Sequence, residues 1–212
     1  MAQKKTEKPT WKTKIFGYKI QQVLPYILIV TALIGFTASF VLTVEHMSLL
    51  KDPNYNPSCS INPILSCGPV MASDTATTFG FPNPLMGIAS FAAQALLGLM
   101  MLAGARMKSW FWKLWGLQVL GSVVFTLFLM QQSIFEIGAI CIYCMTVWVA
   151  LSVSAWYTLQ YMLAEGHIGN AKSKTTKFVR KYHGDILLVW FLLVAGLILY
   201  EFWYFFGPKL GF

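Results

Sequence analysis

The sequence predicts an all-α membrane protein, a four-helix transmembrane bundle followed by a fifth transmembrane helix. Three observations predict it. Only 11% of the 212 residues are charged and 57% are hydrophobic, with a mean hydropathy of +0.60, against roughly 25% charged residues in soluble domains. Five apolar runs are each long enough to cross a ~30 Å hydrocarbon core as helices. The lysines and arginines gather at alternate ends of these runs, as the positive-inside rule requires of a threaded chain.

In chain order, residues 1–22 form a basic tail with six lysines. The apolar stretch behind it is too long for a signal-peptide core and no small-residue cleavage site follows, so residues 23–43 read as a retained first span. A long loop, 44–83, has Lys51 as its one base, set against Glu45, Asp52 and Asp74. The second span covers 84–103 and the third 110–130, joined by a turn carrying Arg106, Lys108 and Lys113. The turn at 131–136 has no base and leads into a fourth span at 137–161. A loop at 163–185 carries Lys172, Lys174, Lys177, Arg180 and Lys181, and the fifth span (186–206) opens a final segment, 186–212, that holds Lys209. Fourteen of the 16 basic residues therefore fall on one side, which places the N-terminus in the cytoplasm and the C-terminus outside. Belts of Trp110, Trp112, Trp115, Trp156, Tyr157 and Tyr161 mark inner helix ends, and Tyr200, Trp203 and Tyr204 an outer one.

This organisation excludes several classes. The net charge of +8 does not point to nucleic acid, because the bases flank hydrophobic runs and no soluble segment interleaves them with aromatics. The basic 163–185 loop reads as a solvated segment attracted to anionic membrane lipid. A transporter is disfavoured too, since Lys113, Glu136 and Glu201 sit near helix ends rather than along a pathway. No repeat or second domain is visible.

The four cysteines carry the chemistry. Cys59 and Cys67 lie in the 44–83 loop, and Cys141 and Cys144 lie one to two turns below the outer end of the fourth span. All four thus share the extracytoplasmic side, where disulfides persist. Residues i and i+3 of a helix have Cβ atoms ~5–6 Å apart, wider than the ~3.8 Å of a relaxed disulfide, and a four-residue loop restrains little chain entropy. A structural bridge at Cys141–Cys144 is therefore poorly motivated. Two inert buried cysteines are one competing reading of a C-x-x-C in an apolar helix. A Cys₄ zinc site is another, although C-x₇-C is wider than the usual knuckle spacing and His46 is the sole histidine on that side. Two pairs on one side of a membrane, a mobile exposed pair in a loop and an embedded pair, fit a dithiol relay better. Thiol–disulfide exchange needs colliding sulfurs, so the loop pair would meet a soluble protein and the embedded pair a lipid-soluble two-electron acceptor, a quinone.

Laid out in this way, the chain resembles the vitamin K epoxide reductase family, and within it the bacterial disulfide-forming members. The resemblance covers about residues 23–162. It rests on CSINPILSC (Cys59–Cys67), CGPVMAS (Cys67–Ser73), FGFPNPLMG (Phe79–Gly87) and CIYC (Cys141–Cys144), which together are highly specific. It implies a four-helix catalytic bundle over 23–162 whose outer end forms a quinone pocket capped by the loop. It further implies that Cys67 exchanges with an extracytoplasmic thioredoxin-fold (DsbA-like) partner, that Cys59 attacks Cys141, and that the freed Cys144 reduces the quinone. Ser73 would lie beside the redox centre. Asn83, four residues before Gly87, would hold a quinone carbonyl; as a bare residue between two prolines it reads equally as a turn, and Ser73 equally as a helix cap.

Two departures qualify the resemblance. Animal members have a quinone-contacting tyrosine four residues after the last cysteine, and Trp148 stands there; indole donates a hydrogen bond but accepts none. Some bacterial members continue into a fused thioredoxin-like domain, and this sequence stops at Phe212 after the fifth span, so a separate redox partner is expected. The implied activity is a quinone-dependent thiol oxidase of the bacterial cytoplasmic (inner) membrane, using a menaquinone, ubiquinone or phylloquinone-type carrier and supporting disulfide formation in exported proteins. The alternatives are a vitamin K or quinone epoxide reductase and a non-catalytic membrane scaffold with structural disulfides. A DsbB-type quinone reductase would carry its C-x-x-C before the wider pair, the opposite of the order here.

Overall fold

A computed structural model describes residues 14–15, 18–52, 54–169 and 173–206. Of the expected basic segments, residues 1–13 and 16–17, Lys172 and Lys209 lie outside the described residues. Lys14–Ile15 (β1) pairs antiparallel with Tyr18–Lys19 (β2) immediately ahead of the first helix. The α-helices are α1 (Ile20–Lys51), α2 (Cys67–Ala72), α3 (Pro84–Leu102), α4 (Ser109–Gln131), α5 (Ile142–Ala164), α6 (Lys174–Lys181), α7 (His183–Glu201) and α8 (Trp203–Phe206). Five of the segments are long and apolar enough to cross a membrane, which makes this an all-α multi-pass membrane protein.

The central element is α1. Its buried residues Leu24, Leu28, Thr31, Gly35, Ala38, Leu42 and Glu45 repeat every three or four positions, the spacing that keeps one seam facing its neighbours. That seam packs on α3 to one side and α5 to the other, and α4 closes against α5. At Gly35 a Cβ would land in the ring of Phe91, so glycine is what lets the α3 aromatic lie against the α1 backbone. Gln94 of α3 locks the same crossing by donating to the Leu28 carbonyl (3.0 Å) and the Thr31 hydroxyl (2.9 Å); with no water in the bilayer core, a polar side chain at that depth must find protein partners. At the end of the bundle where α1 begins, Ile20, Leu24, Leu28, Leu97, Trp112, Tyr157 and Met162 form one cluster. Along α4 and α7 the large apolar side chains face outward, as expected of surfaces solvated by lipid.

The fifth span docks at both ends. Trp156 Nε1 donates to the His183 carbonyl at 2.9 Å, Trp190 Nε1 lies 3.3 Å from Ser152 Oγ, and Phe202, 1% exposed, joins Ile64, Ile134, Ile140 and Trp148 at the outer end.

Three boundaries differ by five residues or more from those the sequence predicts, and one of them changes the chemistry. α1 runs eight residues beyond the expected 43, reaching Lys51, so Glu45 and His46 sit on a helix rather than in a loop. At ~1.5 Å per residue its 32 residues extend about 48 Å, well beyond a ~30 Å core. The last span ends at Glu201 and restarts as the short α8 after a break at Phe202. The third difference is at 137–141. α4 continues through a π-helical turn, Gln132–Ile137, and Gly138 reverses the chain at φ +66°. Such left-handed conformations favour glycine. The fourth helix therefore begins at Ile142, with Cys141 as its extended N-cap residue, and not at 137.

Candidate redox site

The loop after α1 folds back over the end of the bundle where α1 finishes. Glu45 of α1 accepts from the Ser58 backbone N–H and hydroxyl, fixing the residue just before Cys59. The Asn62 side-chain oxygen accepts from the N–H groups of Ile64 (3.0 Å) and Leu65 (2.8 Å), an Asx-type turn in which asparagine substitutes for a backbone acceptor. The turned segment then pairs with the stretch before α5: Ile140 N–H donates to the Ile64 carbonyl at 2.7 Å and Ser66 N–H to the Ile140 carbonyl at 3.0 Å, a single parallel bridge between Leu65 and Ile140. This bridge brings the next residues of the two segments, Cys67 at the start of α2 and Cys141 at the cap of α5, face to face.

Cys59 and Cys67 form a disulfide, and Cys141 and Cys144 are free thiols. Cys141 Sγ lies 2.8 Å from Cys67 Sγ, and the sulfurs of Cys59, Cys67 and Cys141 all fall within 4.8 Å of one another. With the loop disulfide closed, the 2.8 Å contact to Cys141 is made by Cys67, while Cys59, the sulfur that the resemblance implies attacks Cys141, also lies within 4.8 Å of it. The loop pair is not exposed: Cys59 is 4% and Cys67 0% exposed. The reason is the apolar character of the loop itself, whose Ile64 and Met71 enter the bundle's outer clusters and carry the disulfide down with them.

The N-cap position of Cys141 alters the argument made from helical spacing. Its sulfur accepts from the Cys144 backbone N–H at 3.4 Å, at the helix end where amide dipoles favour negative charge. Hydrogen bonding from the Cys144 thiol, joined by the amides of Cys144 and Tyr143, holds the Cys141 thiol below its ordinary range against the opposing effect of burial. A C-x-x-C whose first cysteine caps a helix is a reactive arrangement without any distortion of the helix.

Beneath the sulfurs lies a cavity of ≈ 510 Å³ enclosed by α1, α3, α4 and α5 and roofed by α2 and the 3₁₀ turn Asp74–Thr77. Cys141, Cys144, Asn83 and Trp148 all line it. The size is within the ~300–1,000 Å³ of small-molecule sites, and the mostly apolar wall with a few polar groups suits a flat ring bearing carbonyls. α3 and α4 scarcely touch; the Phe79–Phe125 ring pair (5.3 Å) and a 3.4 Å contact from Gln118 Nε2 to Ser90 Oγ cross the gap between them. The cavity wall is thus held by few contacts on that side.

The other residues singled out in the sequence fare differently. Asn83 is 8% exposed and both ends of its amide are engaged: Nδ2 donates to the Thr75 carbonyl at 2.6 Å and Oδ1 accepts from Thr78 N–H at 3.2 Å. It clamps the roof and still keeps one N–H for the cavity. Gly87 supports the same wall, because a Cβ there would meet the Ser39 hydroxyl. Trp148 borders the cavity while packing on Ile140 and Phe202. Ser73 does not line the cavity. Its hydroxyl donates to the Val70 carbonyl at 2.7 Å and lies 3.0 Å from Thr75 Oγ1, so it stands behind two residues of the wall, Val70 and Thr75. Sequence reasoning missed Glu45 and His46; their signal was the α1 stripe continuing past 43.

Asn83→Ala should cost about 1–3 kcal/mol by leaving its buried partners unsatisfied. Chemical denaturation of the purified protein checks this, and Asn83→Asp, which keeps the acceptor and loses the amide donors, should loosen the roof less than alanine does.

An apolar cavity walled by helices and edged by a dithiol, with a disulfide lying against that dithiol, defines a membrane thiol–disulfide redox site. The sequence model of the vitamin K epoxide reductase family matches residues 26–159, and the chain belongs to that family. Quinone-linked disulfide redox chemistry and oxidoreductase activity are the family's, and the Cys59–Cys67 disulfide with Cys141 alongside is consistent with both. A comparison with curated proteins finds no match.

Proposed function

We propose that the protein oxidises a soluble thioredoxin-fold (DsbA-like) dithiol protein on the extracytoplasmic side of a bacterial cytoplasmic membrane and passes its electrons to a membrane quinone. The observation that carries this reading is the 2.8 Å approach of Cys67 to Cys141 at the rim of a cavity that also holds Cys144.

The sulfur positions favour a definite order. The partner's thiolate attacks Cys59, the loop sulfur with residual exposure, and releases Cys67. Cys67 then attacks Cys141 of an oxidised Cys141–Cys144 pair and releases Cys144 into the cavity. The partner's second thiol frees the partner in oxidised form, and Cys59 closes on Cys67, restoring the loop disulfide and releasing Cys141. Two electrons and two protons have moved from the partner to the Cys141/Cys144 pair. A quinone supplies the terminal acceptor, taking up both and leaving as quinol while the Cys141–Cys144 disulfide re-forms. The free Asn83 N–H and the Trp148 indole are the donors available to orient its carbonyls. In this reading residues 23–162 carry the chemistry, 1–22 and 163–185 face the cytoplasm, and the fifth helix buttresses the outer end through Phe202.

The direct test is turnover by the purified protein with a reduced thioredoxin-fold donor and a quinone, monitored by quinone absorbance. Reduction of quinone in step with donor oxidation is expected, and oxidation of donor without quinone loss would reject it. Sidedness has its own check. In intact cells, a membrane-impermeant maleimide added outside should label a cysteine introduced at the exposed loop position Ile61 (Ile61→Cys); labelling only after the inner face is opened would reverse the topology.

A further inference from the structure

We propose that His46 is the proton carrier of the quinone half-reaction, taking a thiol proton from the Cys141/Cys144 pair and delivering it to a quinone oxygen; this rests on the quinone-reductase reading above. Oxidising two thiols to a disulfide releases two electrons and two protons, and forming a quinol consumes both. The sulfur that reacts must shed its proton before or as it reacts, while the carbonyl oxygen gains one, so a group able to accept and return a proton near neutral pH is needed inside the cavity.

The wall offers one such group besides the thiols. Among its described lining residues, His46, Cys141 and Cys144 are the ionisable side chains. His46 is 2% exposed, yet no other described residue hydrogen-bonds its ring, leaving both ring nitrogens available. Its register on α1 aims it at the site. Leu42 and Leu49, four residues before it and three after, belong to the cluster around Cys59, Cys67, Cys141 and Cys144, and positions so spaced share a helix face. Ser39, one turn lower than Leu42, lines the same cavity. The stripe runs from the cavity to the sulfurs with His46 between. Five residues separate it from the outer end of α1 at Lys51, about 7.5 Å of helix.

The ionisable groups on neighbouring elements have other engagements or stand apart. Glu45 on α1 is bound to Ser58. Tyr143 accompanies the two cysteines at the start of α5. Tyr55 and Asp74 lie in the loop and roof, and Glu136 after α4 is exposed. α3 has no ionisable residue at all.

His46→Gln keeps bulk and hydrogen-bonding capacity but cannot carry a proton, so it separates proton transfer from simple positioning. The two half-reactions are measured apart by anaerobic rapid mixing: oxidised protein with a dithiol donor, and prereduced protein with a soluble-tailed quinone. Expected is a fall of roughly a hundredfold in the quinone step, loss of that step's pH dependence between about pH 5 and 8, and an exchange step within about twofold of wild type. His46→Asn should behave alike and replaces the glutamine variant should that one fail to form the Cys59–Cys67 disulfide. Equal losses in both halves, or a quinone step unchanged in rate and pH profile, would overturn the assignment of His46 alone. A wild-type protein that reduces no quinone would instead overturn the parent reading and this inference with it.

Discussion

Cys144→Ser should eliminate the proposed quinone reduction while the Cys59–Cys67 disulfide still forms and the fold survives. The expected loss is at least about a thousandfold, because a covalent step lacking its sulfur has no substitute in the site. Serine is a small polar replacement at a half-buried position of α5, where Cys144 supplies no structural bond, so thermal unfolding should shift little. Cys141→Ser should lose quinone reduction to the same extent, and the double variant should be no worse than either single one, since the two sulfurs act as one unit. Quinone absorbance under anaerobic turnover reads the first effect, and peptide mapping without reductant reads the second. Retained turnover in either variant would leave C-x-x-C as the pair of inert cysteines that its apolar surroundings alone suggest.

The second large effect concerns order within the relay. With Cys59 replaced by serine, Cys67 has lost its disulfide partner and sits against Cys141. Mild oxidation should then give a Cys67–Cys141 crosslink in high yield. The mirror variant, Cys67→Ser, leaves Cys59 as the sole loop sulfur, and it should crosslink to Cys141 poorly, because the Leu65–Ile140 bridge presents position 67 and not 59 to the cap of α5. Mass spectrometry of the two variants decides between this order and the one the family resemblance implied. A predominant Cys59–Cys141 bond would restore the latter.

The architecture is largely legible in the residues. Hydropathy finds spans because lipid imposes the same demand on every helix that crosses it. The motifs around Cys59–Cys67, Phe79–Gly87 and Cys141–Cys144 point to the family that the sequence model matches. Hydropathy does not register where a helix starts within an apolar stretch. Ile137, Ala139 and Ile140 are as apolar as the residues after them, and Gly138 is the one mark of the break. Without that mark Cys141 falls inside a helix and strain becomes the argument for reactivity, when an N-cap sulfur accepting an amide suffices. The burial of the loop disulfide is hidden for a related reason. Ile64, Leu65 and Met71 are too few to register as a span, yet each has a hydrophobic cluster to join. Asn83 and Ser73 each admit two readings from the sequence. The structure combines them for Asn83, a clamp that borders the cavity, and leaves Ser73 as a support behind Val70 and Thr75.

Closing the loop disulfide beneath an apolar flap has a consequence for selectivity. Small thiols and stray oxidants in the surrounding fluid find almost no sulfur to strike, so the electron route is kinetically insulated from the ambient redox pool. Under the proposed function, a protein donor would have to displace that segment as it docks, which would make docking, rather than reduction potential alone, the gatekeeper of who may donate.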